Sequence, residues 1–265
     1  MSDRLPVRKT YKLFVGGAFP RSESGRTLEV EGYNVARASR KDAREAVVAA
    51  RKAVAGWSGA TAYNRGQVLY RLAETMETRT DALAAASSGR REVARAIDRV
   101  VWYAGWADKL AQVLGSSNPV AGPYFNFTLP EPTGVVAVIA PEEPALDGLV
   151  SRLVPALVGG NAVVAVASEA HPLAAIELAE AVATSDVPAG VVNVLTGLRA
   201  ELAPVLAGHM DVNAIDVTGA DGDRAALEAL AAENVKRVVR AKEEQSPWEI
   251  ASFMELKTVW HPIGR

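Results

Sequence analysis

Short apolar runs alternate with helical patterns through the second half of the chain. Five runs rich in β-branched residues occupy positions 135–140, 162–167, 191–195, 212–217 and 235–239. Runs of this length and uniformity are typical of strands buried on both faces. Strands that alternate this regularly with helices indicate βαβ units. We therefore predict an α/β fold, with a doubly wound, Rossmann-like parallel sheet of five strands.

Helical spacing dominates the region before these strands. The segment Ser39-Arg40-Lys41-Asp42 has the form of a capping box, so we expect a helix to begin there and to end near Gly56. Two further amphipathic stripes predict helices over about 68–83 and 92–110. These three N-terminal helices are expected to pack their apolar faces into the core.

Alternating patterns outside the central domain predict additional strands. Segments 14–19 and 27–30 resemble a short strand and its return. A strand with one solvent-exposed face is expected near 123–130, because Phe125, Phe127 and Leu129 alternate with polar residues.

A last strand is predicted over 252–260, with Leu256 and Trp260 on one face and Glu255 and Lys257 on the other. Such a strand is either a protected edge or an arm for another subunit, and periodicity leaves both open. We divide the chain into a nucleotide-binding-type domain over 1–241, with the strand near 123–130 inserted, and an arm over 242–265.

Composition narrows the classes of function. The net charge of -2 and the pI near 6.0 offer no electrostatic case for nucleic acid or for an anionic membrane. No apolar run approaches the roughly 18 residues of a membrane span, and the N-terminus lacks a signal-like apolar region. We therefore expect a cytoplasmic protein.

Metal and thiol chemistry find no support in the sequence. Cysteine is absent, which excludes disulfides, thiolate metal ligands and thiol nucleophiles within these residues. His171, His209 and His261 lie far apart and match no metal-ligand spacing. No metal site is predicted.

The loop after the first apolar strand is the natural place for a ligand, because ligands bind at the carboxyl ends of strands in open parallel sheets. It reads Pro141-Glu142-Glu143-Pro144. The two carboxylates could form an acid/base pair. However, consecutive loop residues generally point apart, so we interpret them as solvated surface acids. Spacing alone therefore identifies no catalytic group.

Several motifs resemble those of the aldehyde dehydrogenase superfamily, and the resemblance runs through almost the whole chain. They are the opening strand and turn at 13–26, the helix motif at 62–73, the segment 131–136, the segment 188–197 and the C-terminal segments 248–250 and 257–264. The opening and the last segment most resemble the shortened second domain of the two-domain aldehyde dehydrogenases of family sixteen.

The departures from the family pattern concern its catalytic residues. Glu143 stands where the family places the Asn that helps to form the oxyanion hole, and an ionised carboxylate would repel an oxyanion. The general-base Glu falls at Ala241. Beyond that position the family would continue into the domain that carries its nucleophilic cysteine, whereas this chain passes to the arm. The resemblance thus implies that the catalytic domain and the catalytic residues are absent.

The cofactor positions are degenerate by the same comparison. The family's lysine at the adenosine ribose is replaced by Val166, and Asp221 adds negative charge where a pyrophosphate would lie. The retained positions predict at best a weak NAD(P) site, and we expect no tightly bound cofactor. These positions are Pro141, Ser168, Glu169, Gly197, Thr218 and Gly219.

What remains of the family pattern implies a role in assembly. In the family, the arm pairs with the catalytic domain of a neighbouring subunit. We therefore hypothesise a non-catalytic subunit that scaffolds or regulates a full-length aldehyde dehydrogenase through strand addition, or that pairs with itself. The candidate contact residues are Phe125, Phe127, Phe253, Met254, Leu256, Val259 and Trp260. The alternatives are a residual NAD(P)-binding module and an oxidoreductase component that is active only within a complex.

Overall fold

The computed structural model describes residues 9–241 and 245–264. The predictions that concern residues 1–8, connector residues 242–244 and Arg265 lie outside the described residues.

A small three-stranded sheet opens the described chain. It contains β1 (Thr10–Tyr11), β2 (Thr27–Val30) and β3 (Tyr33–Ala36), in the order β1-β3-β2. The predicted strand at 14–19 is wrong. Gly16 and Gly17 adopt positive φ angles of 62° and 80°, which fold the chain into a tight turn. The segment over 27–30, predicted as the return of that strand, pairs with β3 instead.

Five helices follow. They are α1 (Arg40–Gly59), α2 (Ala62–Thr78), α3 (Thr80–Ala85), α4 (Arg90–Ala104) and α5 (Leu110–Leu114). The capping box of α1 is confirmed: Ser39 Oγ accepts from the backbone of Asp42 at 3.3 Å, and Asp42 Oδ2 accepts from the backbone of Ser39 at 2.7 Å. Each of the other two predicted helices is divided in two.

The remaining elements include the central sheet. They are β4 (Ser116–Asn118), β5 (Tyr124–Pro132), β6 (Val135–Ile139), α6 (Ala145–Val158), β7 (Ala162–Val166), α7 (Pro172–Ala183), β8 (Val192–Leu195), α8 (Arg199–Gly208), β9 (Ala214–Asp216), α9 (Arg224–Ala232), β10 (Arg237–Val239), α10 (Pro247–Ala251) and β11 (Met254–Pro262).

The central sheet is parallel, with the strand order β10-β9-β6-β7-β8. This confirms the five-stranded doubly wound prediction. Every residue of β6 to β9 is buried, because helices cover both faces of the sheet. Two apolar cores result, one on each face.

A second three-stranded sheet, which we call the arm, has the order β11-β5-β4. The strand β11 runs antiparallel to β5, in a register that extends from Met254 opposite Pro132 to Pro262 opposite Tyr124. Thr128 and Thr258 face each other, with their hydroxyl oxygens 3.2 Å apart. The two strands predicted separately from the sequence are thus partners within one chain.

The start of the arm is anchored in the core. Phe253 and Met254 are 0% and 5% exposed, so the prediction that they contact a partner is corrected: they pack inside this chain. Asn161 holds this corner, because its side-chain amide donates to the backbone oxygen of Phe253 at 3.0 Å. Phe125, Leu256 and Trp260 are exposed, while Phe127 and Val259 are half-buried.

Candidate functional site

The strand order reverses between β6 and β9, which creates a crevice outside the carboxyl ends of these two strands. Gly219, after β9, lies directly against Ala140, after β6. A Cβ atom at position 219 would stand 2.2 Å from the backbone oxygen of Ala140. Only glycine allows this approach, so the two strand ends meet at the base of the crevice.

The guanidinium of Arg199 lies in the crevice. Arg199 begins α8, and its side chain reaches across two strand ends. Its Nη1 donates to the backbone oxygen of Gly219 at 2.9 Å, and its Nη2 donates to that of Ala140. The side chain is 15% exposed, and burial lowers the pKa of the guanidinium, while Glu142 acts in the opposite direction.

Glu142 pairs with this cation. Its Oε1 lies 2.8 Å from Arg199 Nη1, and its Oε2 accepts from Ser168 Oγ at 2.6 Å and from the backbone of Ala170 at 3.2 Å. Glu142 is thus a surface acid with a side chain that is 40% exposed, as interpreted from the sequence, but its carboxylate is paired with Arg199. Glu169 takes part as well, because its carboxylate accepts from the backbone N–H of Arg199.

Glu143 points away from Glu142, as expected for consecutive loop residues, and contacts His171. The two ring nitrogens of His171 face two carboxylates: Nδ1 lies 2.8 Å from Glu31 Oε1, and Nε2 lies 3.2 Å from Glu143 Oε1. Both contacts are hydrogen bonds only if the ring is an imidazolium that donates from both nitrogens. The bond to Glu31, reinforced by that to Glu143, raises the pKa of His171.

The predicted cofactor residues divide into two groups. Ser168, Glu169 and Gly219 meet around Arg199, whereas Pro141, Gly197 and Thr218 contact local structure. Pro141 packs on Gly148, and Gly197 has a φ of 142° close to the backbone of Ala38. Thr218 Oγ1 accepts from the backbone N–H of Ala241 at 2.8 Å. Ala241 therefore lies beside the last of these strand-end loops.

Arg199 is the residue that sequence reasoning missed. The sequence feature that could have indicated it is a long cationic side chain two positions after Gly197, shortly after the end of β8. Its local sequence predicts a helix start exposed to solvent. The contacts with Ala140 and Gly219 depend on the side chain reaching past β7 to the far side of β6, which no local pattern specifies.

A cavity of about 550 Å³ opens beside the crevice, between α8 and α9. Its walls are largely apolar and include Ile139, Ala203 and Leu227. Glu142, Glu169, Asp221 and Asp223 also line it, and the first three of these carboxylates act on the Arg199 guanidinium. Negative charges therefore outnumber positive charges around this cavity.

No group of three His, Cys, Asp or Glu side chains in residues 9–241 and 245–264 is placed to hold a metal ion. In the same ranges, none of the helices combines the length and the apolar character that crossing a bilayer requires.

Comparison with known proteins gives one consistent result. The sequence model of the Aldehyde dehydrogenase family matches residues 27–261. An aldehyde dehydrogenase of Davidiella tassiana is 32% identical over 89% of this chain and 50% of its own length. The human cytosolic 10-formyltetrahydrofolate dehydrogenase is 33% identical over 96% of this chain and 30% of its own length.

The structural comparison agrees. The NAD+ complex of an aldehyde dehydrogenase from Bacillus cereus superposes with a TM-score of 0.80 at 26% identity, over 87% of this chain and 50% of the other. The chain thus spans about half the length of the similar aldehyde dehydrogenases.

Proposed function

Because this chain belongs to the aldehyde dehydrogenase family, we propose that it is a non-catalytic subunit that scaffolds or regulates a full-length aldehyde dehydrogenase. In this proposal the arm docks by strand addition on the catalytic domain of that enzyme, in the cytoplasm. The argument rests on the chemistry of the strand-end loops, on the crevice and on the arm.

The strand-end loops offer no group for aldehyde oxidation. The 265 residues contain no cysteine, so they provide no thiolate to attack a carbonyl. Glu143 is engaged with His171, and its carboxylate cannot donate a hydrogen bond to an oxyanion. Ala241, at the position of the family's general base, has no ionisable side chain. These features support a subunit that leaves the chemistry to its partner.

The crevice also supports a non-catalytic role. A dinucleotide would have to displace the Arg199 guanidinium from the backbone oxygens of Ala140 and Gly219, and it would bring phosphates close to Asp221. Each lost charged hydrogen bond costs about 1.5–3 kcal/mol. We therefore expect NAD(P) to bind weakly.

The arm carries the proposal. Among the described residues, β11 pairs with β5 on one side and with no strand on the other, so its outer backbone groups are available to an incoming strand. Leu256 and Trp260 on this strand are 59% and 58% exposed. Exposed apolar side chains next to an open strand edge are what strand addition requires, because the backbone provides affinity and the side chains provide specificity.

Co-expression with the full-length aldehyde dehydrogenase of the same organism tests this proposal. We expect a hetero-complex by native mass spectrometry, and we expect the double variant Leu256→Asp/Trp260→Asp to dissociate it. Point variants are preferable to a truncation at Ser252, since that truncation would remove the buried side chain of Phe253.

The control is Tyr63→Asp, because Tyr63 is 63% exposed and belongs to α2, outside the strands of the arm. A complex that tolerates the arm variant, or that dissociates equally with the control variant, would contradict docking through β11.

A second candidate function, a residual nucleotide-binding module, is favoured by the apolar cavity between α8 and α9. Its volume of about 550 Å³ lies in the range of small-ligand pockets. A titration of the isolated chain with NAD+ separates the candidates. Saturable binding in the micromolar range would favour the module, whereas millimolar or weaker binding would favour the docking subunit.

A further inference from the structure

A second cavity, distinct from the one between α8 and α9, is lined mainly by cationic side chains. It measures about 440 Å³ and lies between the turn at 22–26, the first turn of α1 and the start of α8. Among the described residues that line it, four are cationic and two are acidic. They are Arg26, Arg40, Lys41, Arg44, Glu23 and Glu201. The cavity therefore has an excess of two positive charges in a protein whose net charge is -2.

The two carboxylates are already shared among several donors. Glu201 accepts a hydrogen bond from Arg37, and its Oε2 lies 3.8 Å from Arg26 Nη2. Glu23 Oε2 lies 3.7 Å from Lys41 Nζ, and Glu23 Oε1 accepts a hydrogen bond from Ser39 Oγ at 3.0 Å. The hydrogen bond from Arg37, with the nearby charges of Arg26 and Arg40, lowers the pKa of Glu201. This shift is the signature of a positive local potential.

Arg40 and Arg44 supply the excess charge. Both are exposed and lie on one face of α1, four residues apart. Among the described residues, neither guanidinium is in a hydrogen bond or within 4.0 Å of a carboxylate, although Arg40 is near enough to Glu201 to lower its pKa. Two like charges at this spacing repel each other, so an anion between them would relieve the repulsion.

The helix terminus itself does not create this site. The first backbone N–H groups of α1 are occupied by the capping box, in which Ser39 Oγ accepts from Lys41 and Asp42. An anion in the cavity would therefore bind to side chains that project from two separate segments. Guanidinium groups present paired N–H donors whose geometry matches phosphate oxygens.

We propose that this cavity binds a compact phosphate anion with at least two negative charges, either inorganic diphosphate or the diphosphate group of a small metabolite. Three arginines border the cavity, and tetrahedral phosphate oxygens can accept from several directions, whereas one planar carboxylate accepts from a single fork. The volume of the cavity, about 440 Å³, suits a small molecule.

Isothermal titration of the full chain with inorganic diphosphate at low ionic strength tests the proposal. We expect saturable binding that the double variant Arg40→Ala/Arg44→Ala weakens by at least about tenfold, because it removes two charge-assisted contacts. The control Arg71→Ala/Arg91→Ala changes the net charge equally at exposed positions on other helices and should bind as the wild type does.

A second variant tests the same site by a gain of binding. Glu201→Gln removes the carboxylate that competes for Arg26 and Arg37, so diphosphate should bind several-fold more tightly. Absence of binding to the wild type or equal loss in the control variant would overturn the proposal. Equal or tighter binding of citrate would overturn the assignment to phosphate. These outcomes do not depend on whether the arm docks on a dehydrogenase.

Discussion

Arg199 Nη1 lies 2.8 Å from Glu142 Oε1, and the two residues come from loops on opposite sides of β7. The pair therefore spans the carboxyl end of the central sheet. With Gly219 and Ala140 as further partners of the guanidinium, it lies where an open parallel sheet admits a ligand and lines the cavity of about 550 Å³ there.

Removal of both members of this pair should open the crevice. The double variant Arg199→Ala/Glu142→Gln leaves the net charge unchanged. Its effect on affinity should therefore come mainly from easier access of NAD+ to the crevice. We expect NAD+ to bind about tenfold more tightly than to the wild type, as measured by fluorescence titration. Unchanged binding would mean that the pair does not obstruct the crevice. The variant Arg71→Ala/Glu74→Gln, at an exposed pair on α2, is the matched control.

The buried Arg152 should be essential for stability. Its Nε lies 2.6 Å from Asp216 Oδ2, and its Nη1 lies 2.5 Å from Glu249 Oε2, with all three side chains almost fully buried. Arg152→Met would leave two carboxylates without their cation, and we expect the free energy of unfolding to fall by about 3–5 kcal/mol. Urea unfolding measures this change. Arg71→Met should alter stability by less than about 1 kcal/mol, because its ion pair is exposed.

His171 should make a pH-dependent contribution to stability. Its pKa is raised in the folded chain by Glu31 and Glu143, so its contribution is complete below the unfolded pKa of about 6.5 and is lost as pH rises through the folded pKa. We expect His171→Ala to reduce the free energy of unfolding at pH 6 by less than about 1 kcal/mol, because the side chain is 38% exposed. At pH 8 the reduction should be smaller.

The double variant Glu31→Gln/Glu143→Gln is the control for His171. It retains the ring but removes both carboxylates, so the pH dependence attributed to His171 should disappear. Persistence of the full pH dependence in this variant would show that another group is responsible.

Lys236 should have the opposite dependence on pH. Its Nζ donates to the backbone oxygens of His209 and Val212, and burial lowers its pKa to about 8. The unfolded chain therefore binds more protons between pH 8 and about 10.4, and stability from this group rises over that interval. We expect wild-type stability to increase relative to Lys236→Met by about 1–2 kcal/mol from pH 8 to pH 10 in urea unfolding. A parallel pH profile in the two proteins would contradict this assignment.

Local sequence patterns specified the central sheet and the start of α1. Runs such as 135–139 are apolar throughout because helices cover both faces, and the Ser39 capping box requires only two residues three positions apart. At 14–19 the same approach was wrong, because two glycines permitted a turn that the apolar pattern concealed. Elements that depend on burial, such as the central strands, were therefore predicted better than the turn at Gly16 and Gly17, which depends on backbone conformation.

The candidate site was predicted in position but not in chemistry. The strand-end loops were expected to form it, and Ser168, Glu169 and Gly219 do meet there. Arg199 was missed because its partners are distant in sequence. Phe253 and Met254 were predicted to lie on a surface, but they are buried. The alternation of residue types along a strand indicates which residues share a face. It does not indicate which part of the strand the rest of the chain covers.

The pairing of β5 with β11 has a consequence for synthesis of the chain. Thr128 and its partner Thr258 are 130 residues apart, so β5 leaves the ribosome well before its neighbour exists. At typical translation rates this delay is roughly ten seconds. During that time Phe125, Phe127 and Leu129 have no β11 strand beside them, and they form a nascent segment suited to capture by a chaperone or to aggregation with another unfinished chain.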